Sequence, residues 1–561
     1  MNRASSTSRT HRHIAGSALC LAIATPIAFA QTSPLPVFTP GNLVVSRSVY
    51  TPTPASVVVG QTLPPGCVPS SKNKVTCGTA AVDGTFPTVF NNVITADPSF
   101  GITSPIFLDQ MTPTGTILNS LQVPNSSTTS GDQLVTSFSS KSEESLHLST
   151  DGTYLTFMDY VAPLNTIDVS NSNTPGVIDP TNPVPGTYYR AVATVNSQGQ
   201  FAFTETNAYS GNNGRAALYV NTSGNNFFYT VGNAGNGGNP EPQQVVEGAG
   251  VQIITPVSAP ESAQTPGLPT PVASFNVTQL GDAADKVGKD DNFRGMTLFN
   301  NVLYVTKGSG GNGVNTVYFV DTTSTACPNG IGLPVANAPL PAASIAGSYN
   351  STTGLANNMC ILAGFPTVSN KVSNPVAFPF GLWFANATSL YVADEGDGVN
   401  TYSATSNTYT DAASSANTGG LQKWTFNSTT QTWQLAYTLN TGLNLGTPYT
   451  IANYPTGLNN GTDGTNLPWA PATDGLRNII GTIEGNRFQG FHAVIWATSS
   501  TVSGNGDQGA DPNKLYLITD SLTNTSPAVA AQETFTDLRD AVSGEVLRGV
   551  SFTPGTPVAS F

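Results

Sequence analysis

The sequence predicts an all-β protein, a single β-propeller of about six four-stranded blades, with seven the alternative. Three observations carry that prediction. The composition is short of charge and rich in strand and turn formers, a strand pattern recurs about every 80 residues, and the last repeat is a single strand long.

Charged residues make up 9% of the 561-residue chain, against roughly 25% in an ordinary soluble domain. Exposed helix positions usually carry Glu, Lys and Arg, so their scarcity argues against helices. Thr, Val, Tyr and Phe favour strands, while Gly, Asn and Pro mark turns. The net charge of −13 is spread thinly along the chain. No cluster of Lys and Arg could neutralise phosphates, so a nucleic-acid partner is excluded, as is an anionic-membrane patch.

The N-terminus reads as a secretory signal over residues 1–30. Arg3, Arg9 and Arg12 form a basic region, an apolar run covers 14–29, and Ala28-Phe29-Ala30 is a small-x-small cleavage site. The mature chain, 31–561, is then a single domain that works in the periplasm or outside the cell. No later segment reaches the ~18 apolar residues of a membrane-spanning helix. Four cysteines remain in the mature chain: Cys67, Cys77, Cys327 and Cys360. An even number in an exported chain suggests disulfides. Cys67–Cys77 and Cys327–Cys360 are the favoured pairs, because each falls within one Pro/Gly/Asn-rich segment.

The repeat opens with a small residue, often preceded by Arg, and runs into a short apolar strand, a turn and a second strand. Phe293-Arg294-Gly295-Met296 leads to Leu303-Tyr304-Val305, and Phe380-Gly381-Leu382-Trp383 leads to Leu390-Tyr391-Val392. Gly214-Arg215-Ala216-Ala217 leads to Phe227-Phe228-Tyr229. Leu476-Arg477-Asn478-Ile479 leads, after an insertion, to Val494-Ile495-Trp496. A looser copy begins at Ser145, and the last is Leu547-Arg548-Gly549-Val550. Starts at 144, 215, 294, 381, 477 and 548 are spaced by 71, 79, 87, 96 and 71 residues. Further strands fall at 316–321, 421–426 and 514–520, with outer strands at 433–439 and 273–277. Each repeat thus supplies one blade, and radial stacking buries both faces of every sheet.

The final repeat offers only the strand at 548–552. The mature N-terminus offers the missing ones, at 42–47, 104–108 and 115–121. A composite blade from both ends would close the ring. Long polar insertions near 51–100, 322–376, 398–419 and 440–474 decorate it.

Several of these segments recur together elsewhere. Gly41-Asn42-Leu43-Val44-Val45-Ser46-Arg47, Pro105-Ile106-Phe107-Leu108-Asp109, Thr112-Pro113-Thr114-Gly115, Leu148-Ser149-Thr150-Asp151-Gly152-Thr153-Tyr154-Leu155, Tyr209-Ser210-Gly211-Asn212-Asn213, Leu390-Tyr391-Val392-Ala393-Asp394 and Leu547-Arg548-Gly549-Val550-Ser551-Phe552-Thr553-Pro554 appear in that order. In this order they resemble an uncharacterised family of exported bacterial propeller-like proteins. That resemblance implies the fold and export. The family has no established activity, and the 51–100 insertion and both cysteine pairs depart from it.

The candidate site residues follow from the repeat. Arg215, Arg294, Arg477 and Arg548 would ring the channel near one mouth and could bind a carboxylate or anionic glycan through paired N–H donors. Alternatively, each spans to the next blade and bonds its carbonyls. Asp394, Glu395 and Asp397, in Asp394-Glu395-Gly396-Asp397-Gly398, offer oxygens of the kind calcium takes, although Asp-Gly is also an ordinary turn. Lys289-Asp290-Asp291 reads as a solvated turn, and Gly308-Ser309-Gly310-Gly311-Asn312-Gly313 as a hairpin loop. His147 and His492 read as strand histidines rather than bases. Trp383, Trp424, Trp433 and Trp496 read as inter-blade packing, with sugar stacking the alternative. No motif of nucleophilic, zinc or phosphate chemistry is present. These features predict a non-catalytic binding module for a glycan, peptide or protein partner. The alternatives are a calcium-assisted hydrolase or lactonase with acids in the channel, and a structural cell-surface component.

Overall fold

Six antiparallel blades form a β-propeller: three are separate four-stranded sheets, one belongs to a six-stranded sheet, and two are joined into a ten-stranded sheet by a parallel strand pair. The computed structural model describes residues 37–558 except 51–101 (apart from short strands at 68–69 and 75–76), 126–133, 236–241, 257–272, 343–355, 411–418, 455–458, 461–466, 505–507 and a few shorter gaps. The signal at 1–30, Cys67 and Cys77 lie outside the described residues.

Blade one is the composite. Its inner strand, Glu545–Phe552, comes from the C-terminus, and Leu43–Val49, Ile106–Met111 and Ile117–Gln122 complete it. Leu43 pairs with Phe552 and Val45 with Val550, so the two ends of the chain share a ladder. Arg47 reinforces the junction, reaching Asp109 at 2.7 Å and Glu545 at 2.6 Å. In blade two the inner position is shared by Leu134–Ser137 and His147–Leu148, both paired with Tyr154–Val161. Gly214–Val220, Phe293–Phe299, Pro379–Asn386 and Ala472–Asn486 open blades three to six.

Strand alternation makes the interfaces between blades. Leu43 and Val45 point toward blade six, joining Val494, Trp496 and Leu515. Val44, between them, points the other way and packs with Leu155, Phe157 and Ala191 of blade two. Period-2 side chains thus feed two different cores from one strand.

The small residue at each repeat start has a physical cause. There the inner strand meets the next inner strand backbone to backbone. A β-carbon on Gly295 would lie 2.2 Å from the Phe380 carbonyl oxygen, and one on Gly381 would lie 2.6 Å from that of Arg477. Ser145 and Ala216 form a parallel bridge at the equivalent place. Asn478 is the largest residue in the set, and its Nδ2 donates to the Arg548 carbonyl at 3.1 Å.

Three expectations need correction. The segment 322–376 is more than an insertion: it contains Ala356–Leu362, the outer strand of blade four, which also pairs in parallel with Ala273–Gln279 of blade three. No insertion interrupts the 477 repeat, because Ala472–Asn486 and Gly490–Val502 form one continuous long hairpin. The expected strand at 104–108 is split at Pro105. Thr103–Ser104 pairs with Leu134–Ser137 and only Ile106–Met111 joins blade one. Cys327 and Cys360 are joined in a disulfide that ties the 322–376 segment to that outer strand. Among the described residues no helix is long and apolar enough to cross a membrane.

Candidate functional site: two mouths of one channel

The close approach of the inner strands separates two cavities of opposite character. The residue before each small position is Glu144, Arg215, Arg294, Phe380, Arg477 or Arg548, and of these Arg294 and Arg477 line one cavity. The residues after the small position supply the other, including Leu146, Leu148, Met296, Leu382, Ile479 and Val550.

The charged mouth is a cavity of about 210 Å³ lined by Lys141, Arg294, Ser309, Glu395, Asp397, Asp474 and Arg477, among others. Of the four predicted arginines, only Arg294 and Arg477 reach it. Arg294 donates to Ser142 Oγ at 2.6 Å and to Ser309 Oγ, and its guanidinium lies 5.8 Å from the Phe380 ring centre. Arg477 Nε pairs with Glu395 Oε2 at 3.3 Å. Arg215 donates to Asn292 and, at 2.8 Å, to the Phe293 carbonyl of the next blade. Burial, with Arg294 close by, pushes its guanidinium down to about 9. Arg548 donates to the Phe138 carbonyl and to Ser48 Oγ. Two of the four therefore tie blades together through backbone carbonyls.

Asp394, Glu395 and Asp397 go three ways. The Asp394 carboxylate accepts from the Phe378 and Gly396 N–H groups and from Gln422 Nε2, at 2.9, 3.0 and 3.0 Å. Burial nevertheless pushes it up to about 7. Glu395 pairs with Arg477, and Asp397 accepts from the Val399 N–H at 2.9 Å. Among the described residues, one group of three side chains gathers within metal-ligand distance: Asp321, Cys327 and Cys360, and its two sulfurs are joined in the disulfide.

The residue that sequence reasoning missed is Asp474. Its Oδ2 accepts from the Gly398 N–H at 2.9 Å, and its buried Oδ1 has no hydrogen-bond partner. Burial first, then the nearby Asp397 and Glu395, pushes it up to about 8, so it carries a proton at neutral pH. The only signal was its place three residues before a repeat arginine. Lys289-Asp290-Asp291 also differs from expectation. Asp290 and Asp291 are fully buried, close to Lys307, whose ammonium burial pushes down to about 7.

The apolar mouth is a cavity of about 580 Å³ to which the inner strands of all six blades contribute. Trp383 lies over Gly481 of blade six, where a β-carbon would sit 2.6 Å from the indole. Trp496 donates from Nε1 to the Pro113 carbonyl at 2.9 Å and packs edge-on to Phe552. Trp424 and Trp433 are buried in packing instead, against Phe365 and Phe384. His147 Nε2 donates to the Met296 carbonyl at 2.9 Å, and burial lowers its pKa to about 4, which keeps the ring neutral.

No protein-family model matches the chain, and no curated protein does. Among solved structures, the chain is similar to a candidate 6-phosphogluconolactonase from Bacteroides uniformis ATCC 8492. The identity is 11%, with 91% of this chain and 99% of that one covered and a TM-score of 0.30. A likeness at that level carries no argument about chemistry, and the fold above rests on sheet topology.

Proposed function

We propose that the mature chain is an exported, non-catalytic binding module whose ligand sits in the wide apolar mouth. The observation that supports this reading is the cup itself, about 580 Å³ in volume and walled by apolar side chains from six blades with Trp383 at its side. The most spacious apolar cavity with a few polar groups is where a rigid scaffold holds a small ligand. Apart from Glu484 the polar groups here carry no charge: neutral His147, Asn478 and a set of serine and threonine residues that includes Thr482. The fitting ligand is therefore an uncharged molecule with an apolar face, a class that includes aromatic compounds and the stacking faces of sugars. Export is supported by the signal at 1–30 and agrees with the disulfide Cys327–Cys360. The test is tryptophan fluorescence and thermal melting of residues 31–561 against aromatic ligands and neutral glycans. Binding that is lost in Thr482→Arg and weakened in Trp383→Ala supports the reading. Binding unchanged in both, or none across the panel, overturns it.

One observation favours a second reading. Asp474 places a protonated carboxyl, one oxygen of which has no hydrogen-bond partner, in the lining of the cavity that Arg294 and Arg477 share. A hydrolase or lactonase would use such a group as general acid. Hydrolysis of lactones or esters that disappears in Asp474→Asn would establish it. Calcium calorimetry with Asp394→Ala and Asp397→Ala tests the ion that a calcium-assisted version requires.

A further inference from the structure

The seam between blades one and two buries more carboxyl groups than its side chains pair. Glu144 stands where the five other blades carry arginine or phenylalanine, and it is fully buried with a left-handed backbone, φ 62°. Asp159, on Tyr154–Val161, is also fully buried. None of the four carboxylate oxygens has a hydrogen-bond partner. Arg548 is the nearest cation, with Nε 4.0 Å from Glu144 Oε1. One guanidinium therefore faces two unpartnered carboxyl groups, with the buried Glu143 also close to both.

A second, independent observation concerns hydroxyls. Pairing of Leu134–Ser137 with Tyr154–Val161 carries Thr136 opposite Asp159, and Ser104 pairs with Thr136 on its other side. Thr136 Oγ1 and Ser104 Oγ, on residues 0% and 1% exposed, likewise have no partner. Thr136 lies close enough to act on both carboxyl groups. Buried oxygens left in such numbers are costly unless something binds them.

We propose that Glu144 and Asp159, with the hydroxyls of Thr136 and Ser104, hold a hard metal cation inside the seam that closes the ring. Carboxylate and hydroxyl oxygens with no nitrogen or sulfur suit calcium or sodium rather than zinc or copper. The cation sits where the C-terminal strand of blade one meets blade two, so it locks the composite blade in place. It is separate from the apolar cup and from Asp394, Glu395 and Asp397.

The competing way to neutralise the pair is a shared proton, and the two predict opposite behaviour. Full-length mature protein purified without chelator would be examined by elemental analysis, then melted with and without chelator, in calcium, and in sodium against choline. A bound cation gives about one metal per chain, or a melting temperature that rises several degrees with one of these ions. That signal should vanish in Asp159→Asn and Glu144→Gln and survive in Asp397→Ala. A wild type with no metal and no ion-dependent melting overturns the proposal. So does an ion effect that survives both amide variants. Amide variants as stable as the wild type at neutral pH point to the proton. Should either variant fail to fold, the wild-type metal content and ion dependence still decide.

Discussion

Gly549 lies so close to Glu144 that a β-carbon on it would sit 2.1 Å from the Glu144 carbonyl oxygen. Ser46 locks the same place, accepting from the Gly549 N–H at 2.8 Å and donating to that carbonyl at 3.1 Å. The last repeat of the chain therefore meets the first one backbone to backbone, and the ring closes on that contact. Gly549→Val should cost about 3 kcal/mol or more, because the obstacle is backbone rather than a movable side chain. Gly311→Ala, with nothing within 4 Å of the new atom, should stay within about 0.5 kcal/mol of the wild type. Urea unfolding of both variants checks the pair.

Deleting 546–561 should prevent folding rather than trim a tail. It removes the inner strand that pairs with Leu43–Val49 and contributes Val546, Leu547 and Val550 to buried cores. A truncated chain with unchanged circular dichroism and melting would contradict the closure described above.

Blades five and six are joined by a buried ion pair, Lys423 Nζ to Asp520 Oδ2 at 2.9 Å, both side chains 0% exposed. Tyr391 and Tyr437 also donate to the Asp520 carboxylate, and Lys423 donates to the Ser521 and Asn524 carbonyls. Lys423→Met leaves a buried carboxylate without its cation and should cost about 3–5 kcal/mol. The double variant Lys423→Met/Asp520→Asn should lose less than the sum of the singles, as a double-mutant cycle would read.

Stability should fall as pH rises from about 4 to about 8. Asp474 keeps its proton to about 8 when folded, against an ordinary value of 3.8. The folded state therefore binds the proton that the unfolded chain has released, so its contribution is full at acid pH and lost on crossing the folded value. Asp474→Asn cannot ionise and should flatten this part of the profile. Urea midpoints across that range for both proteins provide the check.

Much of the fold was legible because its determinants are local. A strand alternates its side chains whatever surrounds it, which is why apolar runs marked the opening strand pairs of most blades, while Arg190–Asn196, Phe201–Thr206 and Gly250–Ile254 went unmarked. The small residue after Arg215, Arg294 and Arg548 was legible as a repeat, although its reason, the approach of neighbouring inner strands, was not. The strand at 356–362 was hidden because it follows a long polar stretch and pairs across two blades. The site was less legible. Arg215, Arg294, Arg477 and Arg548 were identified as equivalent positions, yet Arg294 and Arg477 line the charged cavity while Arg215 and Arg548 bond carbonyls of neighbouring blades, and Asp474 was missed because an Asp-Gly pair reads as a turn.

The sequence by itself determined the all-β class, the repeat starts and closure by the two chain ends, and left six or seven blades open. Those follow from periodicity, turn chemistry and one incomplete repeat. Tertiary structure alone decided which charges meet: Arg477 with Glu395, Lys423 with Asp520, and Glu144 with Asp159 and Arg548. These partners lie tens to hundreds of residues apart. Which of them is paired, protonated or left for an ion depends on how neighbouring strands converge and exclude water, and no local pattern encodes that.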